Sequence, residues 1–529
     1  MGFIRVAKGK LGFEDATTGV PFVPVGSNYC GVMAALSEGG YCGSEFPLFG
    51  HDEYTEKDGV AEGIRALERM AALNLNVVRI WLEPDEFFPY GRRLDPIGAA
   101  KLDTLLDAGR SLGIRFSLGL HLTPIPSGWK LHSHEPPHNE RLLEMLYLLG
   151  RRWGQNEDVF SWTIVGEGFL PWESHWLREK WGPFLQYWYN DNLEALKKAW
   201  GNTGVDFHSF MDAPVPPRNI GYQLGLGSVN PGNLDKLPFD QWAGSTWRYD
   251  WRLFLEEIGS SRVHQEAKVL RDAGVKQMIT VGNNSWLFPN MPCGQMALGY
   301  NPYFYLDSVD YLCQHHYPAP QCLPGGNGDP LSSEEALQSW LNAVDVMGRT
   351  YTSLGKPVVL EEWSWYGGGE TAFLCKLPFR TLEEQTIYCE RMMETTQHTY
   401  SGWFYWMWRD QPKATDLTNF SGLYAKDGNT LKPWGKRYGE WAKKLQAAPP
   451  VVKPATKVVD MPMKDLYTSD REHENWLQQQ MHEYHRHGPY DFNPVFERKP
   501  LTTVCTDLTL STVTRTGPIE TPMGVREDG

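Results

Sequence analysis

No stretch of this 529-residue chain approaches the ~18 consecutive apolar residues needed to span a bilayer, which argues against a membrane-spanning protein. The N-terminus, Met1-Gly-Phe-Ile-Arg-Val-Ala-Lys-Gly-Lys, lacks the apolar core of a signal peptide. A soluble, cytoplasmic protein is therefore expected, or a secreted one whose leader has been removed. Basic charge is in deficit: the formal net charge is −14, so there is no footprint for nucleic acid or an anionic membrane, and a neutral or cationic partner fits better. The eight cysteines (Cys30, Cys42, Cys293, Cys313, Cys322, Cys375, Cys389 and Cys505) form no CxxC pair and no ladder of short spacings. That excludes a cysteine zinc site and a disulfide scaffold, leaving free, mostly buried thiols. No Gly-rich dinucleotide fingerprint follows the first apolar run, and neither a cofactor nor a metal is indicated.

What the chain has in quantity is apolar and aromatic surface. Hydrophobic residues make up 41%, enough for a large core, and the 22 Trp can serve as core filler or as stacking platforms in a wet groove. Strand-like runs alternate with amphipathic stretches up to about residue 448. The runs are Pro21–Asn28, Asn76–Leu82, Ile114–His121, Phe160–Glu167, Lys276–Gly282, Val309–His315, Pro357–Glu362 and Gly402–Trp408. The stretches include Gly59–Leu73, Pro96–Leu112, Asn139–Trp153, Ser333–Leu354 and Thr381–Tyr400. Eight strands with intervening helices predict an α/β fold, a (β/α)8 TIM barrel over residues 1–448.

A long connection, 168–275, departs from this rhythm. It contains a helix expected over Trp181–Trp200, a Pro-rich turn at Pro214–Pro217, a Gly/Asn-rich stretch and a long helix near Trp251–Ala273. Insertions after a barrel strand stand on the catalytic face, so this one is expected to wall or lid the groove and lend it Trp or Tyr side chains. Residues 449–529 read as a C-terminal extension wrapping the barrel; its His482, His485 and His487 lack convergent acidic or Cys partners for a metal.

Two glutamates end apolar runs: Glu167 in Phe160-Ser-Trp-Thr-Ile-Val-Gly-Glu167, and Glu362 in Lys356-Pro-Val-Val-Leu-Glu-Glu362-Trp-Ser-Trp. Ionisable groups at the ends of buried strands are costly unless paired or used, and two carboxyl groups facing each other at a barrel mouth suit glycosidic bond cleavage. Glu361 competes with Glu362, since it also sits at the strand end; strand alternation is expected to turn only one of the two inward.

The segment Gly63-Ile-Arg-Ala-Leu-Glu-Arg-Met-Ala-Ala-Leu-Asn-Leu-Asn-Val-Val-Arg79-Ile-Trp resembles the first helix and second strand of clan A glycoside hydrolases, notably family five, which are retaining β-glycosidase barrels. His121, His315-His316-Tyr317-Pro, Glu362-Trp363 and Gly402-Trp-Phe-Tyr-Trp406 continue the resemblance in chain order, over most of residues 20 to 445. Leu193-Glu-Ala-Leu-Lys-Lys-Ala-Trp200-Gly-Asn is similar to a helix of the family forty-two β-galactosidases of the same clan.

The resemblance implies cleavage of a β-linked gluco-, manno- or galacto-configured oligo- or polysaccharide. Glu362 would be the nucleophile and Glu167 the acid/base, their carboxyl groups about 5 Å apart. Arg79, His121, Asn283, His315, Tyr317, Trp363 and Trp406 would contact substrate or the nucleophile. Arg79 beneath Glu362 would keep it ionised, and Tyr317 could donate to the same carboxylate. Structural readings stand beside these: Arg79 as an ion-pair member, His121 and His315 as satisfied core histidines, Trp406 as barrel filling. One position departs from the pattern. Most clan A enzymes have Asn before the acid/base, holding the sugar 2-hydroxyl, and this chain has Gly166. Asn283, Asn284 or His121 could supply that contact. Two further readings stay open: a catalytically degenerate carbohydrate-binding barrel, and a transglycosylase.

Overall fold

The computed structural model describes residues 2–9, 11–29, 32–35, 41–45, 59–82, 87–88, 92–120, 138–166, 175–203, 205–216, 245–282, 299–318, 331–365, 380–410, 420–468 and 470–497. Eight strands form one sheet: β1 (Val25–Asn28), β2 (Val77–Leu82), β3 (Arg115–Leu120), β4 (Val159–Gly166), β5 (Met278–Gly282), β6 (Leu312–His316), β7 (Val358–Trp363) and β8 (Gly402–Tyr405). Each apolar run read from the sequence supplies one of them, although of Pro21–Asn28 only the part from Val25 does so, Pro21–Phe22 pairing in a separate sheet. Every ladder is parallel, with β8 beside β1. All six residues of β2 are buried, because a barrel strand meets the core on one face and a helix on the other.

The remaining seam, between β5 and β6, is joined by the chain just before β6. The Asp310 N–H donates to the Ile279 carbonyl (2.8 Å), the Asp310 carboxylate accepts from the Ile279 N–H (2.7 Å), and the Thr280 hydroxyl donates to the Tyr311 carbonyl (2.9 Å). The chain is a (β/α)8 TIM barrel.

The longer helices up to residue 448, among the described residues, are α1 (Gly59–Ala72), α2 (Pro96–Leu112), α3 (His138–Trp153), α4 (His175–Trp188), α5 (Leu193–Trp200), α6 (Thr246–Asp272), α7 (Glu334–Thr352), α8 (Leu382–Thr396) and α9 (Pro433–Ala447). Their ends follow local chemistry. Asp95 caps α2 by accepting from the Gly98 N–H, Pro96 fills the first turn, and Gly113 ends the helix at φ 76°. Among the described residues, no helix is long and apolar enough to cross a membrane.

The helix expected over Trp181–Trp200 is two helices. Asn190 and Asp191 between them take φ of 50° and 59°, a left-handed conformation these residues tolerate, and Asn192 then caps α5. Of the insertion's tryptophans, Trp181, Trp200, Trp247 and Trp251 are buried core and do not line a groove, while Trp172 and Trp242 lie outside the described residues. Trp181 lies against the rings of Phe184, Trp200 and Trp251. Its indole N–H and that of Trp247 share the Pro214 carbonyl (3.2 and 2.8 Å), while Trp200 donates to Asp250 (2.8 Å). An indole buried with its N–H satisfied is core, and the 27-residue α6, roughly 40 Å long, supplies one wall of this satellite core.

One end of the barrel is plugged. Ile4 and Phe13, from a small antiparallel sheet of Ile4–Val6, Phe13–Asp15 and Pro21–Phe22, pack with Val77, Phe160, Met278, Tyr311, Cys313, Val359 and Phe404. These lie toward the strands' N-terminal ends, so the chemistry must lie at the other end. The extension's described part has two parallel strands, Lys457–Pro462 and Tyr490–Val495, joined through helices Met463–Thr468 and Asp470–His487. Buried Arg349 of α7 fixes it, donating to the Tyr490 and Lys453 carbonyls and to Asp491 (3.1, 2.8 and 2.8 Å).

Candidate active site

Where the C-terminal halves of β6 and β7 meet the middle of β2, charged side chains converge on Arg79. Its Nη1 lies 2.5 Å from Glu362 Oε1 and donates to Asn28 Oδ1 (2.9 Å), and its Nη2 lies 3.3 Å from Glu361 Oε2. The Tyr317 hydroxyl donates to Glu362 Oε2 at 2.8 Å. His315 stands between the two glutamates, Nε2 at 3.2 Å from Glu361 Oε2 and Nδ1 at 3.4 Å from Glu362 Oε2. The Thr163 hydroxyl of β4 donates to Glu361 Oε1 (2.8 Å).

Both glutamates of β7 therefore face the barrel interior, which corrects the expectation that alternation would admit only one. The β6–β7 ladder explains it: Gln314 pairs with Leu360 and His315 with Glu362, so Glu361 is one residue too many on β7, a bulge that turns its side chain inward. Asn28 holds the bulge, its Nδ2 donating to the Glu361 carbonyl (2.9 Å). Alternation resumes at Trp363, which is fully buried on the opposite face against Tyr405, Trp434 and Tyr438. The expected substrate contact for Trp363 is thus replaced by a packing role between β7 and α9.

Exposure separates the two carboxylates. None of the Glu361 side chain is open, whereas 6% of Glu362 is. Burial pushes the Glu361 carboxyl up, but the Arg79 charge, His315 and the Thr163 hydroxyl outweigh it and hold it below its ordinary value. Burial likewise opposes the Arg79 charge, and the two carboxylates more than restore it. Of the four side chains Arg79, Glu361, His315 and Glu362, Glu362 is the one with exposed surface.

Space for it comes from glycines on neighbouring strands. A Cβ at Gly282 would stand 3.0 Å from Glu361 Oε2 and 3.3 Å from both Arg79 Nη2 and His315 Nε2. A Cβ at Gly166 would meet Trp81 Cη2 at 2.5 Å, and one at Gly119 would meet Trp81 Cε3 at 2.8 Å. The indole of Trp81 covers these two glycines and stacks on Arg79, whose Cζ lies 4.0 Å from its ring centre. Here is the physical counterpart of the missing Asn: the room that a side chain at 166 needs is filled by Trp81. Gly166→Asn is expected to cost about 1–3 kcal/mol of stability through overpacking when Trp81 is present, and less when introduced into a Trp81→Ala chain. Denaturant unfolding of both single variants and the double variant checks this; an equal cost of Gly166→Asn in the two backgrounds would show that residue 166 is not confined by the indole.

Of the residues proposed from sequence, Arg79, His315, Tyr317 and Glu362 come together. Trp406 follows β8, 7% exposed, with an indole N–H that has no hydrogen-bond partner among the described residues. Glu167, His121 and Asn283 lie outside the described residues. Sequence reasoning missed Asn28, Thr163 and Trp81. Trp81 was within reach, since it stands two residues from Arg79 on one strand and so shares its face. Asn28 and Thr163 carried no signal beyond being polar residues in buried strands. Among the described residues, no group of three or more His, Cys, Asp or Glu could hold a metal ion.

No family model matches the sequence, and no curated protein does. Solved structures are similar in fold. A catalytic mutant of Gan42B, a GH42 β-galactosidase from G. stearothermophilus, superposes with a TM-score of 0.65 at 15% identity, covering 89% of this chain and 65% of that one. For the exo-β-1,4-mannosidase Op5Man5 from Opitutaceae bacterium strain TAV5 the TM-score is 0.57 at 15% identity, over 93% and 72% of the two chains. For the GH5_18 enzyme of Bifidobacterium longum subsp. longum ATCC 55813, in complex with Manβ1-4GlcNAc, it is 0.51 at 14% identity, over 89% and 91%. At such identities the likeness is one of fold, a (β/α)8 barrel shared with β-galactosidases and a β-mannosidase.

Proposed function

We propose that this protein is a retaining glycoside hydrolase that cleaves β-linked galacto-, manno- or gluco-configured saccharides through a covalent glycosyl-enzyme, with Glu362 as nucleophile. The observation that carries the reading is the fixation of Glu362 at the barrel mouth: Arg79 on one carboxylate oxygen, Tyr317 on the other, and His315 beside it. A nucleophile held on both oxygens attacks from one direction without reorganising first. Its Arg79 partner keeps it an anion in a dry surround, the form that attacks an anomeric carbon. Glu167, directly after Gly166 at the end of β4, is proposed as the acid that protonates the leaving oxygen and then as the base that activates water. Trp406, His121 and Asn283 are proposed to line the sugar subsite. Trp363 is not among them. The names of the fold neighbours, β-galactosidase, exo-β-1,4-mannosidase and an enzyme bound to Manβ1-4GlcNAc, favour galacto- and manno-configured substrates.

A panel of aryl β-glycosides tests the reading, with the released sugar followed by proton NMR. Hydrolysis of at least one, giving the β-anomer first, is expected. An α-anomer as first product would mean inversion and remove the nucleophile role from Glu362; no cleavage of any member would leave the binding-only barrel.

A further inference from the structure

We infer that Asn28 is a positioning residue for the nucleophile: its one side-chain amide fixes both the guanidinium that holds Glu362 and the strand bulge that Glu362 follows. What that aim serves depends on the hydrolase reading; the aim itself depends on geometry alone. Asn28 ends β1 and is fully buried. Its Oδ1 accepts from Arg79 Nη1 (2.9 Å), and its Nδ2 donates to the Glu361 carbonyl (2.9 Å), with the Tyr405 and Phe404 carbonyls at 3.3 and 3.5 Å. The two ends of the amide are not interchangeable. Turned over, it would set its NH2 group against a guanidinium and its oxygen against main-chain oxygens, so the network admits one orientation.

One contact aims Arg79. An Nη1 group carries two hydrogens in the plane of the guanidinium, and here Asn28 takes one while Glu362 Oε1, at 2.5 Å, takes the other. Their directions are fixed relative to each other by the planar group, so the acceptor that holds one sets the line of the second. Among the described residues neither Nε nor Nη2 makes a hydrogen bond, Nη2 meeting Glu361 as an ion-pair neighbour at 3.3 Å. The Arg79 main chain is held from the same side, its carbonyl accepting from the Tyr29 N–H (2.8 Å).

The other contact holds the bulge. Glu361 is the extra residue of β7, with no partner in the β6 ladder, and a buried carbonyl so placed needs a donor from elsewhere. Asn28 supplies it from beyond β8. The Trp408 N–H in turn donates to the Asn28 carbonyl (2.9 Å), tying the end of β1 to the chain that leaves β8. Glu362 comes directly after the bulge, so its backbone position and the direction of its guanidinium partner both pass through one side chain. The neighbouring Ser27 is equally buried, but its hydroxyl donates to the Tyr405 carbonyl (3.2 Å) and makes no hydrogen bond to Arg79 or Glu361.

Crystal structures of the unsubstituted protein and Asn28→Ala test the aim without a substrate. A shift of the Arg79 guanidinium or the Glu362 carboxylate by about 1 Å, the scale that matters for attack, is expected; a cluster that superimposes unmoved overturns the inference. Kinetics on an aryl β-glycoside test what the aim serves. Asn28→Ala should lower kcat about 10–100-fold with KM changed less than about threefold, since a misdirected nucleophile weakens the transition state more than it weakens substrate binding. Ser27→Ala, which removes a buried hydrogen bond from the same strand and leaves the cluster alone, should keep kcat within about threefold; equal losses in the two variants would reduce Asn28 to a packing part. Should Asn28→Ala not fold, Asn28→Leu, close to Asn in shape and without either contact, is read in its place by the same criteria. Absence of activity in the unsubstituted protein would count against the hydrolase reading, and the crystal comparison would still decide the aim.

Discussion

Glu362→Ala is expected to lower kcat/KM on an aryl β-glycoside by roughly 10⁵-fold while leaving the protein folded, because removing a nucleophile removes the covalent route itself. Azide should then restore turnover. In the space vacated beneath the anomeric carbon the small anion attacks from the nucleophile's side, and the product is the α-glycosyl azide. Glu167→Ala makes the opposite case. An activated aryl group can leave without protonation, so the glycosyl-enzyme forms and its breakdown becomes slow, with a loss of about 10²–10⁴-fold for leaving groups that need the acid. Azide needs no deprotonation, and here it should yield the β-glycosyl azide. Product anomers read by NMR decide the matter: exchanged anomers would reverse the assigned roles and the same anomer from both variants would end the assignment, with Glu361 a poor replacement because none of its side chain is exposed.

The second large effect is on stability. Arg79 is fully buried between two carboxylates, and Arg79→Met would leave both without their shared guanidinium. Breaking a buried pair by removing one partner costs about 3–5 kcal/mol, more than the pair itself contributes, because an uncompensated charge stays behind. The pH dependence follows from Glu361. In the unsubstituted protein its carboxyl lies below the ordinary 4.5, so it binds protons less readily folded than unfolded. That contribution is fully present above about pH 4.5 and is lost as pH falls through the lowered folded value. In Arg79→Met burial is no longer outweighed, the carboxyl binds protons more readily folded than unfolded, and acid relieves the variant. The stability gap should be widest near pH 7 and narrow toward pH 4. Urea unfolding at several pH values measures it; a gap independent of pH would mean that Glu361 carries no charge in the folded protein.

A smaller expectation concerns the floor of the cluster. Gly282→Ala places a methyl carbon 3.0 Å from Glu361 Oε2, tight enough that the carboxylate or His315 must shift. Activity should drop further than stability, since overpacking here displaces the groups around Glu362. Crystals of the variant with the cluster unmoved would show that the barrel absorbs the methyl elsewhere.

Much of this molecule was legible from its sequence. Apolar runs ending in polar residues placed all eight strands, because a strand covered on both faces must be apolar along its length and a barrel opens at its C-terminal end. Tyr317 and Glu362 were legible for the same reason, each standing at or just past a strand end, and Arg79 as a charge inside an otherwise apolar strand. Helix ends such as Asp95-Pro96 and Gly113 were written in local capping chemistry. Tertiary structure alone decided the rest. Whether Glu361 faces inward depends on a one-residue mismatch between β6 and β7, which exists only once two strands distant in sequence are paired. That pairing put two carboxylates on Arg79, sent Trp363 to the outer face, and placed His315 between the glutamates. The substitute for an Asn at 166 was equally invisible, since it comes from Trp81 two strands away. Local sequence sets which residues can end a buried strand; register and packing across the barrel set which of them meet, because those contacts are made between segments whose order in the chain says nothing of their offset in space.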